Sequence, residues 1–181
     1  TLMTAAANLL DLRALNVRPL TGRDCLAKFD CGNHDINSFA QSKAHKWVEQ
    51  GRSRVFASHL GDAPMGIGFY SLSFSTQDGN KLGGRGSQLY KDQTVPVVYL
   101  SYLGVRRTYQ RNGIGTFLLM DALTRAYRVS SEVAFYGVGL RSMNEKTTEF
   151  YQKFGFGLIE EGDPMMLIPI WTIKDLVEGA I

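Results

Sequence analysis

Residues that build metal centres, redox couples and disulfide frameworks are scarce in this sequence. Among 181 residues there are two cysteines, Cys25 and Cys31, and three histidines, His34, His45 and His59. The cysteines lack CxxC spacing and are too few for a disulfide scaffold, so both read as small apolar residues. No histidine has a cysteine or carboxylate partner at ligand spacing, which argues against a metal site. No apolar run nears the ~18 residues of a membrane-crossing helix. The first residues, TLMTAAANLLDLRAL, carry neither the basic start nor the long apolar stretch of a secretory leader, so a cytosolic location is expected. Internal repeats and low-complexity tracts are missing too. So are GxGxxG and GxxxxGK[ST], which disfavours dehydrogenase and P-loop kinase chemistry.

Core material, by contrast, is plentiful. Apolar residues make up 44% of the chain, with ten Phe, eight Tyr and two Trp. A chain of this length suits one domain that buries roughly 70% of its unfolded surface, which excludes disorder as the main state. One domain over 16–181, preceded by an extension over 1–15, is the expected organisation. The net charge of +3 and pI of about 8.9 permit an anionic ligand or RNA without requiring one.

Local patterns predict alternating strands and helices. A first strand is expected over 15–21, then a helix capped by Thr21 with Asp24 three residues on. Ile36, Phe39, Ala40, Ala44, Trp47 and Val48 fall at helical spacing, predicting a helix over 35–50 that ends at Gly51. Strands over 53–60 and 65–75 flank the turn residues GDAP and predict a hairpin. Residues 76–95 hold four glycines and little apolar content, and read as a long loop. PVVYLSYLGV (96–105) is nearly continuous apolar sequence, as a strand covered on both faces would be. A helix over 113–129 presents Leu119, Ala122, Leu123 and Ala126 on one face. A strand over 132–140, a helix over 144–154, strands over 156–161 and 165–171 and a short final amphipathic helix complete the chain. This order predicts an α/β (α+β) class with helices on both faces of the sheet. The unit over 96–140 should cross over right-handedly between parallel strands.

The stretch YLGVRRTYQRNGIGT (102–116) carries the chemistry. A buried strand runs into a glycine-containing turn and then a helix. The first N–H groups of a helix have no internal partner, and its macrodipole places partial positive charge there. Gly113 and Gly115 let the backbone come close to a phosphate, and Arg106, Arg107 and Arg111 add formal charge. Together these suit a pyrophosphate. A plain turn beside a solvated arginine surface is the alternative reading of the same residues.

QRNGIG resembles the Q/R-x-x-G-x-G/A signature of the GNAT (GCN5-related) N-acetyltransferases, and NEKTTEFYQKFGF downstream looks like that family's second signature. The resemblance covers about 17–171. It implies the GNAT fold, a mixed sheet of about 6–7 strands with a splayed central strand, and acetyl-CoA as acyl donor. It further implies that Leu103, Gly104 and Val105 bind the pantetheine arm through their backbone. Gln110, Arg111, Asn112, Gly113, Ile114, Gly115 and Thr116 would line the pyrophosphate, Asn144 would hydrogen-bond the cofactor's arm, and Tyr151 would act as general acid. A core aromatic on a helix face is the alternative reading of Tyr151. The segment FDCGNHDINSFAQSKAHKWVEQGRSRVFASH further resembles GNAT toxins of bacterial toxin–antitoxin pairs, the TacT and AtaT kind. That likeness implies acetylation of the free amine of aminoacyl-tRNA, a ribbon-helix-helix antitoxin partner and a homodimer.

For the reaction, the expected oxyanion donor is the Val105 N–H. No carboxylate lies within or beside 96–105 in the sequence, so no base can be assigned. An α-amine, with pKa roughly 7.7–8.0, has less need of one than a lysine at about 10.4. Lys43, Lys46, Arg52 and Arg54, and Lys81, Arg85 and Lys91 in the long loop, form either an RNA-facing surface or a solvated one. The competing functions are a GNAT enzyme acting on a small amine, a protein N-terminus or lysine, and a non-catalytic CoA-binding module.

Overall fold

Alternation of inward apolar and outward polar side chains builds one seven-stranded sheet in the computed structural model, which describes residues 11–179. The strands are β1 (Leu15–Pro19), β2 (Arg54–Leu60), β3 (Gly68–Asp78), β4 (Thr94–Val105), β5 (Gly137–Arg141), β6 (Gly157–Leu158) and β7 (Met165–Pro169). Their spatial order is β1-β2-β3-β4-β5-β7-β6. The helices are α1 (His34–Ser38), α2 (Ala44–Glu49), α3 (Arg85–Leu89), α4 (Ile114–Val129), α5 (Glu145–Gln152) and α6 (Ile170–Glu178). All strand neighbours are antiparallel except β4 and β5, which α4 joins as parallel neighbours. The expected extension over 1–15 lies mostly outside the described residues; Leu12–Ala14 form a 3-10 turn leading into β1. Among the described residues no helix is long and apolar enough to cross a membrane.

Adjacent residues of a strand face opposite ways, and Phe69 and Tyr70 of β3 accordingly enter different cores. Tyr70 packs with Leu118, Leu119, Leu123 and Ala126 of α4 and Ile173 of α6. Phe69 packs with Phe29, Phe39, Ala40 and Ala44 under the α1–α2 stretch. Helices therefore cover both faces, as expected. Asn33 starts α1 by accepting from the Ile36 N–H at 3.1 Å, and Gly51 ends α2 in the left-handed region at φ 70. A π turn over Phe39–Lys43 separates the two helices. It keeps Phe39, Ala40 and Ala44 all buried and stacks Phe39 on Tyr102 at 4.0 Å.

Several expected boundaries move. The helix anticipated after Thr21 is only a 3-10 turn, Asp24–Leu26, without a side-chain cap; Lys28 at φ 52 turns the chain away before a second helical turn forms. The long loop shrinks to residues 79–93, because β3 runs to Asp78 and β4 starts at Thr94. Polar Thr76 and Asp78 point to solvent there, while Val95 and Val97 on the other face of the hairpin are buried with Leu82 and Tyr136. Pairing and one buried face extend the hairpin where local composition reads as loop. The strand expected over 132–140 is confined to Gly137–Arg141, that over 156–161 to Gly157–Leu158, and the last strand stops at Pro169, which precedes α6.

Candidate active site

Ser101 is an extra residue in β4. Ser71 lies opposite Tyr102 and Leu72 opposite Leu100, so Ser101 has no counterpart on β3 and forms a β-bulge. Side-chain sidedness records it. Leu100 before the bulge and Leu103 after it join the same core, although an unbroken strand would send them to opposite faces. The bulge bends β4, and parallel pairing with β5 is confined to Val98 and Tyr99. Beyond that point β4 follows β3 to Val105 while β5 follows β7 to Arg141, giving the splayed central strand. The Arg106 N–H donates to Ile67 O on the β3 side at 2.8 Å. Alternation then turns the main-chain groups of Leu103 and Val105 into the gap. Gly104 is required here for contact, since a Cβ would stand 2.8 Å from Ile36 Cγ2 and 3.2 Å from the Phe29 ring.

The following loop delivers the start of α4 to the same gap. Gly113 precedes α4 in the left-handed conformation, φ 79, with no side-chain cap. The first helical bond is Phe117 N–H to Gly113 O at 3.0 Å, so the N–H groups of Ile114, Gly115 and Thr116 have no helical acceptor. A Cβ at Gly115 would meet nothing within 4 Å; the protein's own packing does not demand glycine there, and the open space admits an anion against bare amides. Gln110 Nε2 donates to Cys31 O at 2.8 Å and Val105 O at 2.9 Å, and Asn112 Nδ2 donates to Tyr109 O and Gln110 O, each at 3.1 Å. Both side chains brace the loop. Arg111, exposed at φ 63, has no ion-pair partner among the described residues.

Arg106 and Arg107 do not supply the phosphate charge expected of them. The Arg106 guanidinium donates to Gly66 O (2.7 Å), Lys28 O (2.9 Å) and Ala27 O (3.1 Å) and lies over the Phe29 ring. It fastens the 27–29 segment to the end of β4. Arg107 pairs with Asp30 at 3.2 Å.

Two cavities meet at the gap. The smaller, about 290 Å³, is lined by Leu103, Gly104, Val105, Gln110, Arg111, Gly113, Ile114 and Gly115 with Cys31, Asn33, Ile36, Tyr109 and Met143. Eight of the residues singled out in the sequence thus come together. Thr116 and Asn112 sit beside this cavity without lining it. The larger, about 490 Å³, is walled by Tyr99 to Leu103, by Asp35, Ile36, Lys43 and Trp47, and by Leu140, Arg141, Met143, Thr147 and Tyr151. Asn33, Ile36, Leu103 and Met143 border both cavities, and Asn33 Nδ2 donates to Met143 Sδ at 3.3 Å across the seam.

Tyr151 reaches this site from α5, its ring edge-on to Phe150 and Phe156. Burial pushes its phenol up to about 12, so it stays protonated through the neutral range. Asn144 lines neither cavity. It caps α5 instead: Oδ1 accepts from the Thr147 N–H at 2.9 Å, and Thr147 Oγ1 accepts from the Asn144 N–H at 3.0 Å. The capping box fixes the start of the helix that carries Tyr151. Asp35, Trp47, Tyr99, Tyr102 and Met143 were missed in the sequence. Helical spacing marks Ile36 and Phe39 as buried, but only the packing of α1 on Gly104 brings their neighbour Asp35 to the site.

The acetyltransferase (GNAT) family profile matches residues 36–156. A tRNA-acetylating toxin of Mycobacterium tuberculosis is 28% identical over 151 residues, spanning 83% of this chain and 89% of its own. The crystal structure of a KacT variant superposes with a TM-score of 0.83 at 24% identity, covering 90% of this chain and 99% of that one. That of AtaTR bound with AcCoA gives 0.77 at 25% identity, covering 91% and 99%. With the family profile spanning most of the sheet and both halves of the gap, the chain belongs to the GNAT family of acetyltransferases.

Proposed function

We propose that this enzyme moves the acetyl group of acetyl-CoA to the α-amine of an aminoacyl-tRNA, and that it is a toxin restrained by an antitoxin. The donor half rests on the smaller cavity: bare amides at the start of α4, the open space at Gly115 and the unpaired Arg111 fit a diphosphate. The gap beside Leu103 and Val105 fits an extended amide-bearing arm. When bound, acetyl-CoA supplies an activated thioester. The family likeness to AtaTR bound with AcCoA supports this fit.

The chain's own groups then divide the work. The Leu103 N–H faces the seam between the cavities, and it donates to the acyl oxygen as negative charge builds there. Val105, expected in that role, lines only the smaller cavity and holds the arm. Tyr151 donates to the departing sulfur. Its phenol, at about 12, is a weaker acid than a thiol of about 8.5, so it acts by a hydrogen bond that tightens as the sulfur gains charge.

The acceptor half rests chiefly on the relative described as a tRNA-acetylating toxin, with the large aromatic-walled cavity open beside Tyr151. Lys43 lines that cavity, and Arg52 lies 4.1 Å over the Trp47 ring at its wall. Lys43, Lys46, Arg52 and Arg54 have no ion pairs among the described residues, whereas Lys81 of the hairpin loop is bound to Glu160 at 3.0 Å. Arg85 and Lys91 of that loop have no ion pair among the described residues either, so position favours Lys43 and Arg52, the cations at the acceptor cavity, for phosphate. A ribbon-helix-helix antitoxin, a homodimer and a cytosolic setting complete this reading, carried by the likeness to toxin-type relatives.

The test is to incubate the purified protein with labelled acetyl-CoA and charged tRNA, peptides or polyamines. Label on the aminoacyl group of tRNA is expected. Label on peptides or polyamines alone would replace this acceptor with a small amine or a protein amine, and acetyl-CoA binding without any transfer would make the chain a non-catalytic module. The two arginines at the donor site should separate cleanly. Arg106→Ala should lower stability by about 2 kcal/mol, because charged donors leave three carbonyls; the urea midpoint falls at unchanged slope. Arg111→Ala should leave that midpoint in place and weaken acetyl-CoA binding several-fold by calorimetry.

A further inference from the structure

The larger cavity holds one carboxylate that the sequence order hides. Asp35, one residue from Ile36 at the seam, lines the acceptor side from the first turn of α1. The cavity's other charged walls are Lys43 and Arg141, and Arg141 is engaged by Asp163 at 3.2 Å. Asp35 has no ion-pair partner among the described residues. Besides Tyr151, three aromatic residues, Trp47, Tyr99 and Tyr102, share its cavity. An unpaired carboxylate amid aromatic walls is the chemistry that receives an ammonium ion.

We propose that Asp35 is the docking group for the acceptor amine, so that the cavity selects a cationic amino group attached to an uncharged body. This rests on the acetyl transfer assigned to the same site, and it applies to whichever amine is the natural acceptor. The ammonium arrives paired to Asp35, and a proton passes from its nitrogen to water. The neutral amine then attacks beside Leu103 and Tyr151, with Ile36 setting the distance between the carboxylate and the seam. Solvent reaches the exposed Asp35 carboxylate, so water is at hand to take the amine's proton and the contribution of Asp35 is to binding and position. The same placement explains why no acid near β4 in the sequence is needed for acceptor recognition.

The test compares the wild type with Asp35→Asn on the acceptor that the wild type turns over, drawn from charged tRNA, an amino-acid ester and a lysine peptide. An acyl hydrazide probe, uncharged at neutral pH, is run in parallel, with release of the CoA thiol as the readout. KM for the cationic amine should rise about tenfold, the size of one charge-assisted hydrogen bond, with kcat changed far less. KM for the acyl hydrazide and the affinity for acetyl-CoA should stay as they are. Asp35→Glu should recover part of the loss. An unchanged KM for the cationic amine would overturn the proposal, as would equal losses on the charged and neutral acceptors. Failure of the tRNA reading shows separately, in which amine the wild type accepts.

Discussion

Tyr151→Phe lowers kcat by roughly 10²–10³-fold, the cost of losing one donor aimed at developing charge, while acetyl-CoA affinity stays within about twofold. The expected split follows from placement. Tyr151 lines the acceptor-side cavity, and the amides that fit the diphosphate lie in the other cavity. Its ring is held between Phe150 and Phe156, and the substituted ring keeps those contacts, so stability changes little. The pH dependence has a definite sign. Burial raises the phenol to about 12, so the acid form persists up to that value and is lost only above it. The ratio of wild-type to variant rate should therefore be flat between about pH 6 and 10. A ratio that collapses toward one above pH 8 would mean that the phenol ionises early and that burial does not raise it as described. Equal kcat in the two proteins would remove Tyr151 from the reaction.

Gly115→Asp should abolish acetyl-CoA binding, by about 100-fold or more, without harming the fold. Gly115 lies in the first turn of α4, its φ is outside the left-handed region, and a Cβ there meets nothing within 4 Å. A carboxylate near a helix N-terminus stabilises the helix by roughly 0.3–1 kcal/mol. The melting temperature should hold or rise slightly, whereas the new negative charge occupies the space assigned to the diphosphate. Calorimetry and a thermal melt on the same sample read the two effects. Retained affinity would place the diphosphate elsewhere and sink the donor assignment. Gly115→Ala, which adds only a methyl group to open space, should bind far better than the aspartate variant. The comparison separates charge from bulk.

How much of this was legible in the sequence differs between the two halves of the site. The donor half is nearly contiguous. Leu103 to Val105 and Gln110 to Gly115 are neighbours in the chain, and strand–turn–helix geometry is enough to bring them around one cavity. Even there, formal charge misled. Arg106 and Arg107 look alike beside Arg111, but three backbone carbonyls and Asp30 claim them, partners far away in sequence. The motif around Asn144 shows the same limit, since spacing alone does not tell a cofactor contact from the capping box that the residue makes. The acceptor half comes from α1, α2, β4, β5 and α5, and no local pattern joins Asp35 or Trp47 to Tyr151.

The sequence by itself determined the helix faces, the strand-to-helix anion turn at Gly113 and the family, because each depends on residues within a turn or two of one another. The tertiary structure alone decided where β4 bulges, how far β3 and β4 pair, which arginine is left for phosphate and which carboxylate faces the amine. The physical reason is common to all four. A strand's periodicity conceals one inserted residue, Ser101, until a partner strand exposes the mismatch, and a charged side chain is free or committed only according to what packing sets beside it.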